Sequence, residues 1–248
     1  MTNVKESKSI SAITEEDLAQ AAVESLDEKE EKDFDFVDFC KYMKSCVTEN
    51  CSDVGDVDLK TYLLAYEQLY NFFLLLGRAF QFVASDVKSK IRILDKLCNE
   101  ELEQSQKITN FLTVKSMVNY ERDSGLLKNS KYVSGCRTLL RLHRGLDFIR
   151  KFLEEIYNSE NGAKLGGVAR QTYDKTLAEY HTWIVRNAAR VAMQFLPTRE
   201  ELLNKVSKND ERTLKQMLEM FPEAFEDMNT AYNRIHEIYT TNNILDLP

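Results

Sequence analysis

Turn-forming residues are scarce in this chain. Glycine and proline number 8 and 3, together 11 of 248 residues or about 4 %, against roughly 12 % in average usage. A β-rich fold of this length needs more turn glycines. With Leu, Lys and Glu abundant, the composition predicts an all-α protein. Histidine is rarer still: His143, His181 and His236 are the only three, and no two stand at metal-ligand spacing. The five cysteines (40, 46, 51, 98, 136) are odd in number, and no second pair completes a site with Cys46 and Cys51. They read as reduced thiols of a cytoplasmic protein. Ala163-Lys-Leu-Gly-Gly lacks the Gly-Lys-Ser/Thr of a phosphate loop, and no Ser or Cys stands in a nucleophile elbow. No enzyme and no cofactor is expected. No window holds 18 apolar residues, which excludes a membrane-spanning helix, and the N-terminus lacks the apolar run of a signal peptide.

A basic surplus is missing too. The net charge is −7; residues 1–32 hold 4 Lys against 9 Asp and Glu, or −5, leaving 29 against 31, or −2, for the rest. A nucleic-acid partner is therefore excluded, and general attraction to anionic membranes is weak. The polar, acidic composition of residues 1–32 predicts a disordered leader, and residues 33–248 one folded domain.

Apolar periodicity within that domain predicts about eight helices. The first holds Phe36, Val37, Phe39, Cys40 and Met43. A long helical stretch follows over Leu59–Cys98 with a break near Gly77, then a helix over Gln104–Glu121. Ser134 caps the next, which runs to about Tyr157. Further helices are expected at 169–195, after the Thr198 N-cap, at 210–220 and at 223–241, the last two parted at Pro222.

Two stripes on these helices change from apolar to charged. One reads Leu76, Phe80, Val83, Asp86, Lys90. The other begins with Arg137 and Arg141 and continues through Gly145, Phe148 and Phe152. Residues three or four apart share a helix face, and guanidinium forks match carboxylate or phosphate oxygens. Together they outline a ligand with an anionic head and an apolar tail. Each alone has a plainer reading: an Asp–Lys pair at this spacing is commonly a surface salt bridge, and paired arginines commonly face solvent. Lys88, Arg92 and Lys96 read as a solvated basic face, and Arg144 as exposed. His181, above Val185, Ala188 and Ala192, reads as a core histidine or as a ligand contact. Trp183, the only tryptophan, reads as buried or as an anchor at a membrane interface. The two stripes run opposite ways, so their charged halves converge only if the helices are antiparallel or cross steeply.

At these residues the chain resembles the glycolipid transfer protein family, nearest its members that carry ceramide-1-phosphate. The matching segments are Phe82-Val-Ala-Ser-Asp-Val-Lys-Ser-Lys-Ile91, Gly135-Cys-Arg-Thr-Leu-Leu-Arg-Leu-His-Arg-Gly-Leu146, Ala178-Glu-Tyr-His-Thr-Trp-Ile-Val-Arg186, Leu196-Pro-Thr-Arg-Glu200 and Leu245-Asp-Leu-Pro248. Five segments in the family's order, over about residues 35–248, make a specific match. The resemblance implies a two-layer helical sandwich with a lipid pocket between the layers. It implies that Asp86 binds the ceramide amide N–H and His181 its carbonyl, and that Lys90, Arg137 and Arg141 bind the headgroup. Leu76, Phe80, Val83, Phe148, Phe152 and Val185 would wall the pocket, and Trp183 would touch the membrane. Sugar-binding members resemble the chain less here, having Asn where Lys90 stands, an apolar residue for Arg137 and Trp for Arg141. A sugar is neutral and stacks on indole, whereas a phosphate monoester carries about −1.5 to −2 charge at neutral pH. The expected function is that of a monomeric, cytoplasmic, non-enzymatic carrier of ceramide-1-phosphate that visits membranes transiently. The alternatives are a sensor of the same lipid, a glycolipid carrier and a purely structural helical scaffold.

Overall fold

Nine α-helices and three short 3-10 turns make up the residues described by the structure, a computed structural model covering 33–48, 55–104 and 110–248. The leader 1–32 and Cys51 lie outside the described residues. The helices are α1 (Phe36–Thr48), α2 (Leu59–Leu75), α3 (Gln81–Gln104), α4 (Val114–Asp123), α5 (Gly135–Asn158), α6 (Leu165–Thr176), α7 (Trp183–Met193), α8 (Arg199–Val206) and α9 (Glu211–Thr241). They pack as a two-layer helical sandwich. α5 is the hub, touching α3, α4, α6 and α9, while α1 packs on α2 and α9. One apolar core joins them, with Tyr62, Leu94, Leu139, Leu146 and Tyr239 among its fully covered side chains. Among the described residues no helix is long and apolar enough to cross a membrane, and Cys40 and Cys136 are free thiols.

Side-chain caps fix most helix starts. Asp58, Thr113, Ser134, Thr182, Thr198 and Asp210 each accept a first-turn backbone N–H. Three of these caps are also stitched to a neighbouring helix start: Asp58 and Thr113 bridge each other, and Thr198 bridges Lys164.

Three stretches differ from the sequence expectation, and one break matches it. The break at Gly77 is present, with φ +94°, which suits only glycine. The expected helix over Gln104–Glu121 is instead the end of α3 and a separate α4, which starts where Thr113 and Ser116 form a reciprocal capping box. The helix expected at 169–195 begins earlier, at Leu165, and is cut by a 3-10 turn and the Thr182 cap into α6 and α7. Gly166 lets these two helices meet, since a Cβ there would lie 2.5 Å from the Met193 carbonyl oxygen. The segments expected to part at Pro222 form the single helix α9. An interior proline costs about 3 kcal/mol, but the buried face of α9 (Met217, Phe221, Ala224, Met228) runs through the proline and outweighs it.

Candidate functional site

The charged ends of the two stripes lie on α3 and α5, which pack against each other, while Leu76 and Phe80 of the first stripe precede α3, at the end of α2 and in a 3-10 turn. Near the end of α3, Cys98 Sγ lies 3.5 Å from the Phe111 carbonyl. The Phe111 ring in turn borders Gly135, the first residue of α5. Tyr66 of α2 donates to the Leu142 carbonyl of α5 at 2.6 Å, while its neighbour Glu67 grips Lys88 of α3 at 2.5 Å. Thus Asp86 and Lys90 stand at the level of Arg141, and the charged halves of both stripes face the same end. Lys88 is no part of a solvated face: it ties α3 to α2, its ammonium 5.0 Å from the centre of the Tyr70 ring.

Asp86 and Lys90 form an ion pair one turn apart, with Lys90 sheltered and Asp86 open (13 % and 64 % side-chain exposure). Arg137 is held by its own approach loop. Its Nη1 donates to the Leu127 carbonyl at 3.1 Å, and its Nη2 to those of Asn129 at 3.1 Å and Tyr132. That uses three of the five guanidinium donors. Arg141, one turn on, is exposed and has no hydrogen bond or ion pair among the described residues.

His181 leaves the helical path, with φ −104° and ψ 144°, between a 3-10 turn and the Thr182 cap. Its Nδ1 lies 2.8 Å from the Tyr173 hydroxyl oxygen. The buried Tyr173 ring meets Phe148 of α5 edge-on, with centroids 6.3 Å apart. Burial raises the Tyr173 pKa, against a lowering by Arg190 and Arg186.

The family model described as Glycolipid transfer protein (GLTP) matches residues 57–208, which include every one of these polar residues. The chain belongs to the glycolipid transfer protein family. It is 34 % identical over 224 residues to the "Ceramide-1-phosphate transfer protein" of Mus musculus, covering 88 % of this chain and 98 % of the relative. The crystal structure of the mouse ceramide-1-phosphate transfer protein in its apo form superposes with a TM-score of 0.76 at 33 % identity, covering 87 % of this chain and 100 % of that one. The human ceramide-1-phosphate transfer protein in complex with 12:0 ceramide-1-phosphate gives 0.73 at 31 % identity, covering 86 % and 98 %.

The six apolar residues expected to wall a pocket are packed rather than parted. Phe80 and Phe152 are buried in the core, Leu76, Val83 and Phe148 lie against it, and Val185 is half-buried. The rings of Phe148 and Phe152 stack at 5.5 Å. Two cavities of about 240 and 280 Å³ lie elsewhere, and none of the six lines either. Trp183 is not buried: it is 70 % exposed at the start of α7, and Ile184 beside it is 72 % exposed. Val191 and Phe195 extend this apolar surface.

Three residues with roles here escaped the sequence analysis. Arg144 is half-buried instead of exposed. It donates to the Leu245 and Leu247 carbonyls at 2.8 and 3.4 Å and lies 4.2 Å over the Tyr180 ring. Tyr173 is the partner of His181. Glu121, fully buried, accepts from Ser134 Oγ and from the backbone N–H groups of Gly135 (2.6 Å) and Cys136 (3.2 Å). The N-terminus of α5, with its positive dipole end, is therefore already occupied by an acid of the chain itself. The only sequence signal for Glu121 was an acidic residue 13 positions before the Ser134 cap, which no periodicity connects.

Proposed function

We propose that this chain carries ceramide-1-phosphate between membranes as a monomer. The observation that carries the reading is the packing of α3, which bears Asp86 and Lys90, on α5, which bears Arg137 and Arg141, in a chain 34 % identical to a ceramide-1-phosphate transfer protein. A phosphate monoester of about −1.5 to −2 charge is met by three cations, Lys90, Arg137 and Arg141. Arg141 has no partner among the described residues to give up, and Arg137 keeps two donors beyond those spent on its loop. Lys90 exchanges the Asp86 carboxylate for phosphate, and Asp86 then accepts from the ceramide amide N–H. A diacylglycerol phosphate has an ester oxygen at that place and offers the carboxylate no donor. The Tyr173 hydroxyl donates to Nδ1 of His181, which keeps the imidazole proton on Nε2 and directs it to the amide carbonyl.

The chains of the lipid enter by parting Leu76, Val83, Phe148 and Val185 over Phe80 and Phe152. Each CH₂ kept from water there is worth about 0.8 kcal/mol, without which a long-chain lipid does not leave a membrane. Trp183 and Ile184 insert at the bilayer surface while this happens. The protein acts at cytoplasmic membrane faces, touches them transiently, and uses neither cofactor nor nucleic acid.

A vesicle-to-vesicle assay tests this. Transfer of ceramide-1-phosphate with little transfer of glucosylceramide, and its loss in Arg141→Leu, is the expected result. Equal transfer of the two lipids would sink the headgroup reading.

A further inference from the structure

Both ends of Arg137 are gripped by segments that adjoin one buried acid, Glu121. Its backbone lies in the first turn of α5, whose leading N–H groups and Ser134 hydroxyl converge on the Glu121 carboxylate. Its guanidinium is gripped by carbonyls of the loop Leu126–Tyr132. The Tyr132 side chain adjoins the same Glu121 carboxylate, and the Tyr132 carbonyl receives Nη2 of Arg137. The packing leaves Glu121 little freedom. A Cβ on Gly135 would lie 2.6 Å from Met117 Sδ, 3.1 Å from the Phe111 ring and 3.2 Å from Glu121 Oε1, so only glycine lets the carboxylate press against the helix start.

We propose that Glu121 is a positioning residue for phosphate recognition, acting through Tyr132 and the first turn of α5 to hold Arg137 in a fixed orientation beside Arg141. Glu121 itself does not touch the lipid. An arginine side chain loses much rotamer freedom when it grips a ligand; one already held by three carbonyls has lost that freedom beforehand, so its remaining donors bind phosphate at smaller entropic cost. Arg141, without such support, supplies charge and reach. The division of labour is a pre-set fork and a mobile one. This inference rests on Arg137 being a phosphate ligand.

The test uses the full chain and two variants, Tyr132→Phe and Glu121→Gln, with folding followed by circular dichroism. Short-chain ceramide-1-phosphate and the same ceramide without phosphate are titrated into each. Tyr132→Phe is expected to weaken ceramide-1-phosphate binding by about threefold to tenfold, and Glu121→Gln by on the order of tenfold or more, as supporting contacts commonly do. Ceramide binding should stay within about twofold in both, since a preset arginine is of no use to a lipid without an anion. In the Arg137→Leu background, Tyr132→Phe should cost nothing further, because the residue it positions is gone. Should Glu121→Gln not fold, Tyr132→Phe decides through the same double-mutant cycle. Parallel loss of both lipids, additive losses with Arg137→Leu, or tighter ceramide-1-phosphate binding in Glu121→Gln would each overturn the assignment. A wild-type chain with no preference for ceramide-1-phosphate over ceramide would overturn the underlying reading and this one with it. A clear wild-type preference that the variants leave unchanged would overturn this one alone.

Discussion

The hydroxyl oxygen of Tyr173 lies 2.8 Å from Nδ1 of His181. The first of these residues is buried in the core and the second is half-buried in extended backbone, so the rigid partner orients the looser one. A histidine that must present a particular nitrogen needs its other nitrogen engaged, and the phenol supplies that. Tyr173→Phe keeps the ring against Phe148 and removes only the oxygen. We expect ceramide-1-phosphate affinity to fall by about 1 kcal/mol, the usual worth of one hydrogen bond, or roughly fivefold. Titration of a fluorescent short-chain lipid reads it, with the melting temperature nearly unchanged.

Arg141 and Arg137 should separate binding from stability. Arg141 has no partner among the described residues, so Arg141→Leu is expected to leave stability within about 0.5 kcal/mol while ceramide-1-phosphate transfer drops on the order of tenfold or more, the loss of a charge-assisted contact. Arg137→Leu should lower both, because the Leu127, Asn129 and Tyr132 carbonyls lose their donor; about 1 kcal/mol of stability is expected to go with it. Chemical denaturation and the vesicle assay, run on both variants, check the contrast.

Trp183 and Ile184 are large, apolar and exposed without serving any contact in the core. The double variant Trp183→Ala, Ile184→Ala should bind soluble short-chain lipid as before and bind vesicles more weakly. Full burial of one large apolar side chain is worth about 1.5–3 kcal/mol, so vesicle affinity should fall at least tenfold in a flotation assay. Unchanged flotation would place the membrane contact elsewhere.

His143 makes stability depend on acid. Unfolded, its imidazole takes a proton near pH 6.5; in the fold it resists until about 3, first because of burial and then because of the neighbouring His236. Through that window the unfolded chain holds more protons than the folded one, so stability falls as pH drops from about 6.5 toward 3. His143→Phe keeps a ring to stack on Tyr232, now 4.4 Å away, and removes the titration. Urea midpoints measured between pH 7 and 4 should fall less steeply for the variant than for the parent chain.

The helical class was legible because composition alone excluded sheets, and the N-caps Ser134 and Thr198 could be read directly. Arg137, Arg141, Asp86 and Lys90 could be placed on two faces by spacing, and the family segments paired them. What escaped depends on contacts distant in sequence. Pro222 looks like a stop until the buried face running through it is seen. Thr182 ends the expected continuous helix, and this moved His181 off the stripe assigned to it. Glu121 is an ordinary helix-end acid in sequence, and only the return of the chain at Ser134 gives it donors. Arg144 looked solvent-facing because the C-terminal carbonyls it holds lie about a hundred residues away.

A helix start filled by the chain's own acid has a consequence for how such a scaffold diversifies. A binding site made of backbone N–H groups is fixed by the path of the chain, and no single substitution rewrites it. Here that resource is spent on Glu121, and under the proposed reading headgroup selection falls to the side chains at positions 90, 137 and 141. Exchanging those three should change what the protein accepts while sparing its core, with only the loop that Arg137 holds needing a new support. One framework can thus be adapted to charged or neutral headgroups by a few codons.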